Sequence, residues 1–188
     1  MRFMVLLLIG AAISGCTARY QRVTVMEPTK ELDPQKSVAI STPASGSYGE
    51  EDYPKSGHMT AGAVRLAFER HSREVWISED CRDLECLKGG KRAGYYVVPE
   101  ILRWEDHILA WGGTPDRIEV KLTIYEDKSW ERLASAVISG KSRWLTFGAE
   151  RPQDLLPEPL TRYVSMLYGV VPEEEKSSEP DEATKKEE

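Results

Sequence analysis

Residues 117–125 read RIEVKLTIY, a stretch in which apolar and polar side chains alternate without interruption. An extended chain points successive side chains to opposite faces, so Ile118, Val120, Leu122 and Ile124 share one face. This pattern predicts a β-strand with one face in a hydrophobic core and the other face in water.

Similar patterns on both sides predict the neighbours of this strand. Residues 133–143 also alternate with a period of two, and a turn-rich link at 126–131 precedes them, which favours an antiparallel meander. Short apolar runs predict further strands at residues 37–41, 74–78 and 95–107. Pro99 lies in the last run, and its missing N–H indicates an edge position or a bulge.

Three stretches have helical spacing. Residues 59–71 carry apolar side chains on one helix face, and residues 84–93 form a weaker helix that Gly89 and Gly90 interrupt. A last apolar stripe ends at Tyr168. The predicted order is β-α-β-α-β-β-β-α, an α/β (α+β) sandwich with helices packed against a mixed sheet of about five strands.

The amino terminus has the pattern of a targeting segment. Residues 1–15 combine a basic start, an apolar stretch and a small-residue exit, which is typical of a secretory signal and too short for a transmembrane helix. Residues 13–16 read ISGC and resemble the bacterial lipobox. This resemblance implies cleavage before Cys16 and acylation of Cys16 by fatty acids such as palmitate.

Acylation would attach the protein to a membrane without a spanning helix. Two or three acyl chains form a stable anchor, whereas one chain binds only marginally. Thr17, rather than Asp, follows the lipobox cysteine. By resemblance to the sorting of lipoproteins, this implies an outer-membrane location facing the periplasm.

The composition separates the two ends of the chain from its middle. The 188 residues carry a formal net charge of −6, which disfavours nucleic-acid binding, and 40% of them are hydrophobic. Residues 16–34 are mostly polar and are interpreted as a lipidated tether that contains one β-like stretch. Residues 172–188 include eight acidic residues and no large apolar side chain, which predicts a disordered acidic tail. One α/β domain is expected over residues 35–171.

Cys81 and Cys86 are the two thiols beyond the signal and lipobox region. In an oxidising compartment paired thiols tend to oxidise, but a bridge over this spacing requires Cys81 to precede the helix that begins near Leu84. The sequence leaves this disulfide open. Two thiolates without a third ligand do not make a zinc site, so no metal site is expected.

Four aromatic residues are expected near one end of the sheet, and they are Trp104, Trp111, Trp144 and Phe147. They could pack together as a cap on the core, or they could form an exposed patch that binds a partner protein, a glycan or the membrane interface. Trp104 is expected to be structural because it lies on a strand, and Trp111 is the candidate for exposure.

No catalytic signature is found. The chain has His58, His71 and His107, but no motif pairs any of them with a nucleophile. The sequence therefore predicts a protein that is not an enzyme and needs no cofactor.

Several separated motifs resemble one family. These motifs include residues 47–49, 96–99, 104–105, 113–117 and 154–159. Together they resemble a family of bacterial lipoproteins known only as a domain of unknown function, over residues 38–168. The element order is also similar to the TolB amino-terminal domain, shared by the envelope lipoproteins CsgG of curli secretion and PelC of exopolysaccharide export.

The resemblance implies no activity. It favours a non-enzymatic accessory or scaffold in envelope biogenesis, secretion or export, with the membrane and an envelope protein or glycan as partners, and it leaves a homo-oligomer open. The alternative is a periplasmic hydrolase of an envelope polymer with its site in the loops around residues 48–58.

Overall fold

The computed structural model describes residues 19–107, 114–142 and 151–170. Several predicted features lie outside the described residues, and they are the signal at 1–15, Cys16, Trp111, Trp144, Phe147 and the tail at 172–188.

The described residues form a six-stranded mixed sheet and a separate two-stranded hairpin. The strands along the chain are β1 (Arg19–Met26), β2 (Val38–Ser41), β3 (Ser47–Tyr48), β4 (Glu51–Asp52), β5 (Val75–Ser78), β6 (Tyr95–Glu105), β7 (Arg117–Glu126) and β8 (Arg132–Lys141). The sheet order is β1-β8-β7-β6-β2-β5, and β3 pairs with β4. Strand β2 is parallel to β5 and β6, and the other neighbours are antiparallel.

The helices are α1 (Ser56–Glu69), α2 (Leu84–Lys88) and α3 (Pro157–Leu167), and a 3-10 helix at Pro152–Leu155 leads into α3. Helices α1 and α3 pack against each other and against the sheet. The predicted fold class is confirmed, and the predicted elements occur in the predicted order. The structure adds β1 and the β3–β4 hairpin, so the main sheet has six strands rather than about five. Helix α2 is shorter than the predicted range because it ends with Gly89 at its C-cap.

Strand β7 lies between β6 and β8, and its predicted alternation is confirmed. Ile118, Val120, Leu122 and Ile124 are fully buried in the main core. Burial of one such side chain contributes roughly 1.5–3 kcal/mol. The regular pattern in 117–125 therefore supplies the centre of the sheet.

Pro99 lies where β6 has only one neighbour. It pairs with Leu122 of β7, whereas β2 pairs with β6 only from Tyr95 to Val97. Among the described residues, no strand lies beside the edge of β6 that the Pro99 nitrogen faces, so the missing N–H leaves no hydrogen bond between strands unmade. The predicted edge position is confirmed locally, although β6 is not an edge strand of the whole sheet.

Strand β1 was assigned by its polarity to the tether, and the structure corrects this assignment. It pairs with β8 from Arg19 opposite Lys141 to Met26 opposite Ser135, so the domain begins well before residue 35. The sequence RYQRVTVM is hard to recognise because an edge strand leaves much of both faces exposed. Val23 is 60% exposed on the sheet face opposite α1 and α3.

Candidate functional site

Several chain segments meet at one end of the sheet, which we call the Glu105 end. Glu105 at the end of β6 pairs with Arg117 at the start of β7, and Arg117 pairs with Lys141 at the end of β8. Arg19, the first residue of β1, lies opposite the same lysine. The chain continues from this end of β6 into residues 108–113, and from the end of β8 into residues 143–150. These two segments contain Trp111, Trp144 and Phe147.

Trp104 lies beneath the surface of this end. Its side chain is 2% exposed and belongs to the main core. The Tyr53 ring lies 6.5 Å from it, and the backbone of Gly46 lies against its Cβ. The expectation that Trp104 is structural is therefore confirmed, because the strand directs the indole into the core. Of the two interpretations of the aromatic set, the exposed binding patch is wrong for Trp104.

The segment around the small β3–β4 hairpin covers Trp104. The Tyr53 hydroxyl donates to the backbone oxygen of Asp106 at 3.2 Å. The Tyr48 ring meets the His107 ring edge to face, with 5.5 Å between centroids. These contacts place two tyrosines, one of them exposed, beside the last residues of β6.

Asp116 fixes the geometry of this end. The carboxylate accepts a hydrogen bond from the His107 backbone N–H at 2.7 Å. The Asp116 N–H donates to the Ser142 hydroxyl at 2.9 Å, and the Ser142 N–H donates back to the Asp116 carbonyl at 3.0 Å. Burial raises the pKa of Asp116, and the bond from His107 opposes that rise. The network holds the ends of β6 and β8 beside the start of β7.

Glu105 is buried among basic side chains. Its carboxylate lies 3.1 Å from Arg103 Nε, 3.8 Å from His107 Nε2 and 3.9 Å from Arg117 Nε. The last two distances are too long for hydrogen bonds. His107 Nε2 and Arg117 Nε have no hydrogen-bond partner among the described atoms. Both atoms are buried and lie within ion-pair distance of the Glu105 carboxylate.

Cys81 and Cys86 are joined by a disulfide with a Cα–Cα distance of 5.3 Å. Cys81 precedes α2, which is the geometry that a bridge required. The N-cap Asp83 accepts a hydrogen bond from the Cys86 N–H at 2.9 Å. The bridge ties α2 to the loop that follows β5.

The histidines are not brought together into one catalytic group. His58 is exposed on α1, whereas His71 Nε2 lies 3.0 Å from Ser165 Oγ and its ring stacks on Tyr168. Within the described ranges no group of three or more His, Cys, Asp or Glu could hold a metal ion. None of the helices described is long and apolar enough to cross a membrane.

A polar cavity of about 500 Å³ lies beside α2 and the β7–β8 turn. Several side chains that line this cavity already contact other side chains of the protein. Arg92 bonds to Asp127 at 3.1 Å, and Lys88 Nζ lies 4.9 Å from the centre of the Trp130 ring. The ring also packs at 5.0 Å against Tyr96, so it offers a ligand little free surface.

Sequence analysis missed Glu105, Asp116 and Tyr53 as members of this end. Burial of a carboxylate depends on tertiary contacts that no local pattern encodes. A signal was nevertheless present, since Trp104-Glu105 and Asp116-Arg117 both lie in the stretches that carry the family resemblance.

The fold and the Glu105 end define an α+β sandwich domain built on a mixed sheet. The chain belongs to the family described as a domain of unknown function (DUF4823), which matches residues 30–167. No curated protein matches the sequence significantly.

Solved structures share this fold. Two structures of the PelC dodecamer from Paraburkholderia phytofirmans, one of them with a single substitution, are each 14% identical to this chain, with TM-scores of 0.59 and 0.58. The alignments cover 84% and 81% of this chain and 100% and 98% of those chains. A Xanthomonas campestris protein of the DUF330 family is 15% identical with a TM-score of 0.46, over 81% of this chain and 98% of that chain.

Proposed function

We propose that this protein is an outer-membrane lipoprotein, anchored through acyl chains on Cys16 and facing the periplasm. In this proposal it acts as a non-enzymatic accessory or scaffold in envelope biogenesis, secretion or export. Its partners are the membrane and an envelope protein or glycan.

The observation that carries the proposal is the lipobox-like sequence ISGC at residues 13–16, and the position of β1 determines how the anchored domain would be oriented. Arg19 is only three residues beyond Cys16, so the extended link between them spans at most about 11 Å. An acylated Cys16 would hold the Glu105 end of the sheet, where β1 begins, close to the membrane. The links that contain Trp111, Trp144 and Phe147 leave from the same end. Tryptophan is enriched at membrane interfaces, which supports this orientation.

Self-assembly is part of the proposal. The PelC neighbours are dodecamers, and they share the fold of this chain. The sheet face opposite α1 and α3 has Val23 exposed at 60%, beside the partly buried Val137 that pairs with it. Such an apolar pair at an open edge suits contact between copies. We expect a mass above that of the monomer in light scattering of the detergent-solubilised protein, and a smaller mass for Val23→Asp.

A hydrolase with its site around residues 48–58 receives less support. Ser56 is the residue there that could act as a nucleophile beside His58, but its hydroxyl donates to the Tyr53 carbonyl at 2.6 Å. The same oxygen accepts from the Gly46 N–H at 2.7 Å. These bonds fix the start of α1, so Ser56 has a structural task.

Fractionation of Cys16→Ala tests the anchor. We expect the wild-type chain in the outer-membrane fraction and the variant in the periplasmic fraction, since Cys16 is the residue that would carry the acyl chains. Thr17→Ala is the matched control and should stay with the membrane. If Cys16→Ala still sediments with membranes after salt and carbonate washes, the lipoprotein assignment fails. Crosslinking in intact cells followed by mass spectrometry would then identify the envelope partner.

A further inference from the structure

A groove of about 230 Å³ runs between β1 and α3. Tyr20 and Arg22 from β1 line one side, and Arg162, Tyr163 and Met166 from α3 line the other. Both charged residues of the lining are arginines. Planar guanidinium groups favour phosphate and carboxylate oxygens, which they can bind with two parallel hydrogen bonds.

The described contacts leave Arg22 without a carboxylate partner. Its hydrogen bond goes to the Met166 sulfur, and a thioether is a weak acceptor. Arg162 already bonds to Glu158 at 2.9 Å on the outside of the groove. Arg22 therefore supplies the guanidinium that can turn toward an anion with the smallest loss of existing bonds.

Tyr163 lines the groove, and its buried hydroxyl is a neutral donor. Its side chain is 3% exposed, and its hydroxyl has no hydrogen-bond partner among the described atoms. Burial raises the pKa of Tyr163 to about 12, so the hydroxyl keeps its proton at neutral pH. A buried donor without an acceptor is costly, and an acceptor oxygen entering the groove would remove that cost.

The position of the groove favours one source of the anion. Tyr20 is four residues beyond Cys16, which corresponds to at most about 14 Å of extended chain. The polar layer on each side of a bilayer is roughly 5–8 Å thick. If Cys16 is acylated, as the proposed function requires, lipid headgroups lie within reach of the groove.

We propose that the groove between β1 and α3 binds the phosphate of a membrane phospholipid headgroup through Arg22, Arg162 and Tyr163. The site adds a headgroup contact to the acyl anchor and fixes the orientation of the domain on the membrane. It rests on the proposed lipidation for its location, but its chemistry can be measured without acyl chains.

The test uses the mature chain with Cys16→Ala and vesicles of phosphatidylethanolamine and phosphatidylglycerol. We expect the protein to cosediment with these vesicles and not with vesicles of digalactosyldiacylglycerol, which contain no phosphate. Arg22→Gln and Tyr163→Phe should each weaken phospholipid binding about tenfold, the effect of losing one hydrogen bond to a charged group. Arg65→Gln, which removes an exposed arginine on α1, should bind like the parent.

Two controls complete the experiment: one tests whether the variants fold, and the other tests whether the bound phosphate must belong to a lipid headgroup. Tyr163→Phe should melt no lower than the parent, because the lost hydroxyl has no partner in the described structure. The proposal would be overturned if Arg22→Gln and Tyr163→Phe bound the vesicles as well as the parent. It would also be overturned if the control Arg65→Gln bound them as weakly as the groove variants. Binding of soluble glycerol 3-phosphate without vesicle binding would also overturn it. The chain in the vesicle test carries no acyl group. If the fractionation test shows that Cys16 is not the anchor, the vesicle test still shows whether the groove binds phospholipid.

Discussion

Gly46 lies directly against Trp104. A Cβ atom added to Gly46 would come within 2.7 Å of the Trp104 Cβ and 3.1 Å of Ile101 Cγ2. The backbone at residue 46 therefore packs on the indole as closely as a chain without a side chain allows. The contact seats the segment around the β3–β4 hairpin over β6.

Gly46→Ala should destabilise the domain by about 1–3 kcal/mol, because the new methyl group overpacks a buried contact. Gly62→Ala is the matched control. Nothing lies within 4 Å of a Cβ at Gly62 in α1, so that change should stabilise the domain by about 0.5–1 kcal/mol. Urea unfolding measures both, and equal effects would contradict the close packing.

Trp104→Ala should cost about 3–5 kcal/mol, because it removes a core side chain that is 2% exposed. Trp111→Ala is expected to cost little and to reduce capture of envelope partners. Denaturant unfolding and a pull-down from solubilised envelopes separate the two effects. If Trp111→Ala unfolds the domain as severely as Trp104→Ala, Trp111 belongs to the core.

Loss of the disulfide should lower the free energy of unfolding by about 2 kcal/mol, the chain-entropy value for such a short loop. A thermal melt with and without reductant should show this loss in the wild type. Cys81→Ala with Cys86→Ala should melt like the reduced wild type and should not respond to reductant. A reductant effect that persists in the double variant would implicate something other than this bridge.

Acidification should destabilise the domain through His71. Burial, with a smaller repulsion from Arg70, lowers the pKa of His71 in the folded state. The unfolded chain takes up the proton near pH 6.5, so the free energy of unfolding falls as the pH drops from there toward the folded-state pKa.

The slope of this loss is at most about 1.4 kcal/mol per pH unit. Stability measured by urea unfolding between neutral and mildly acidic pH should show it in the wild type. His71→Gln should remove that part of the slope, whereas His58→Gln should keep it because His58 is exposed. A slope that survives in His71→Gln would assign the effect to another group.

Local patterns predicted the parts of the fold whose burial is regular along the chain. β7 was predictable because every second side chain enters the core. The β-like stretch of β1 was assigned to the tether, because an edge strand with two largely exposed faces does not show that it belongs to a core. The role of Asp116 was hidden for a different reason, since its partners Ser142 and His107 lie in other segments and only the folded sheet brings them together.

The pairing of β1 with β8 also sets an order of events during maturation. β1 is the first strand of the sheet along the chain and β8 is the last, so β1 has no sheet partner until nearly the whole domain has been synthesised. Under the proposed function, residues 13–16 would be cleaved and acylated during that interval. Once β1 closes onto β8, only Thr17 and Ala18 separate Cys16 from the sheet. Under the proposed function we therefore expect the lipobox to be processed before the last strand pairing.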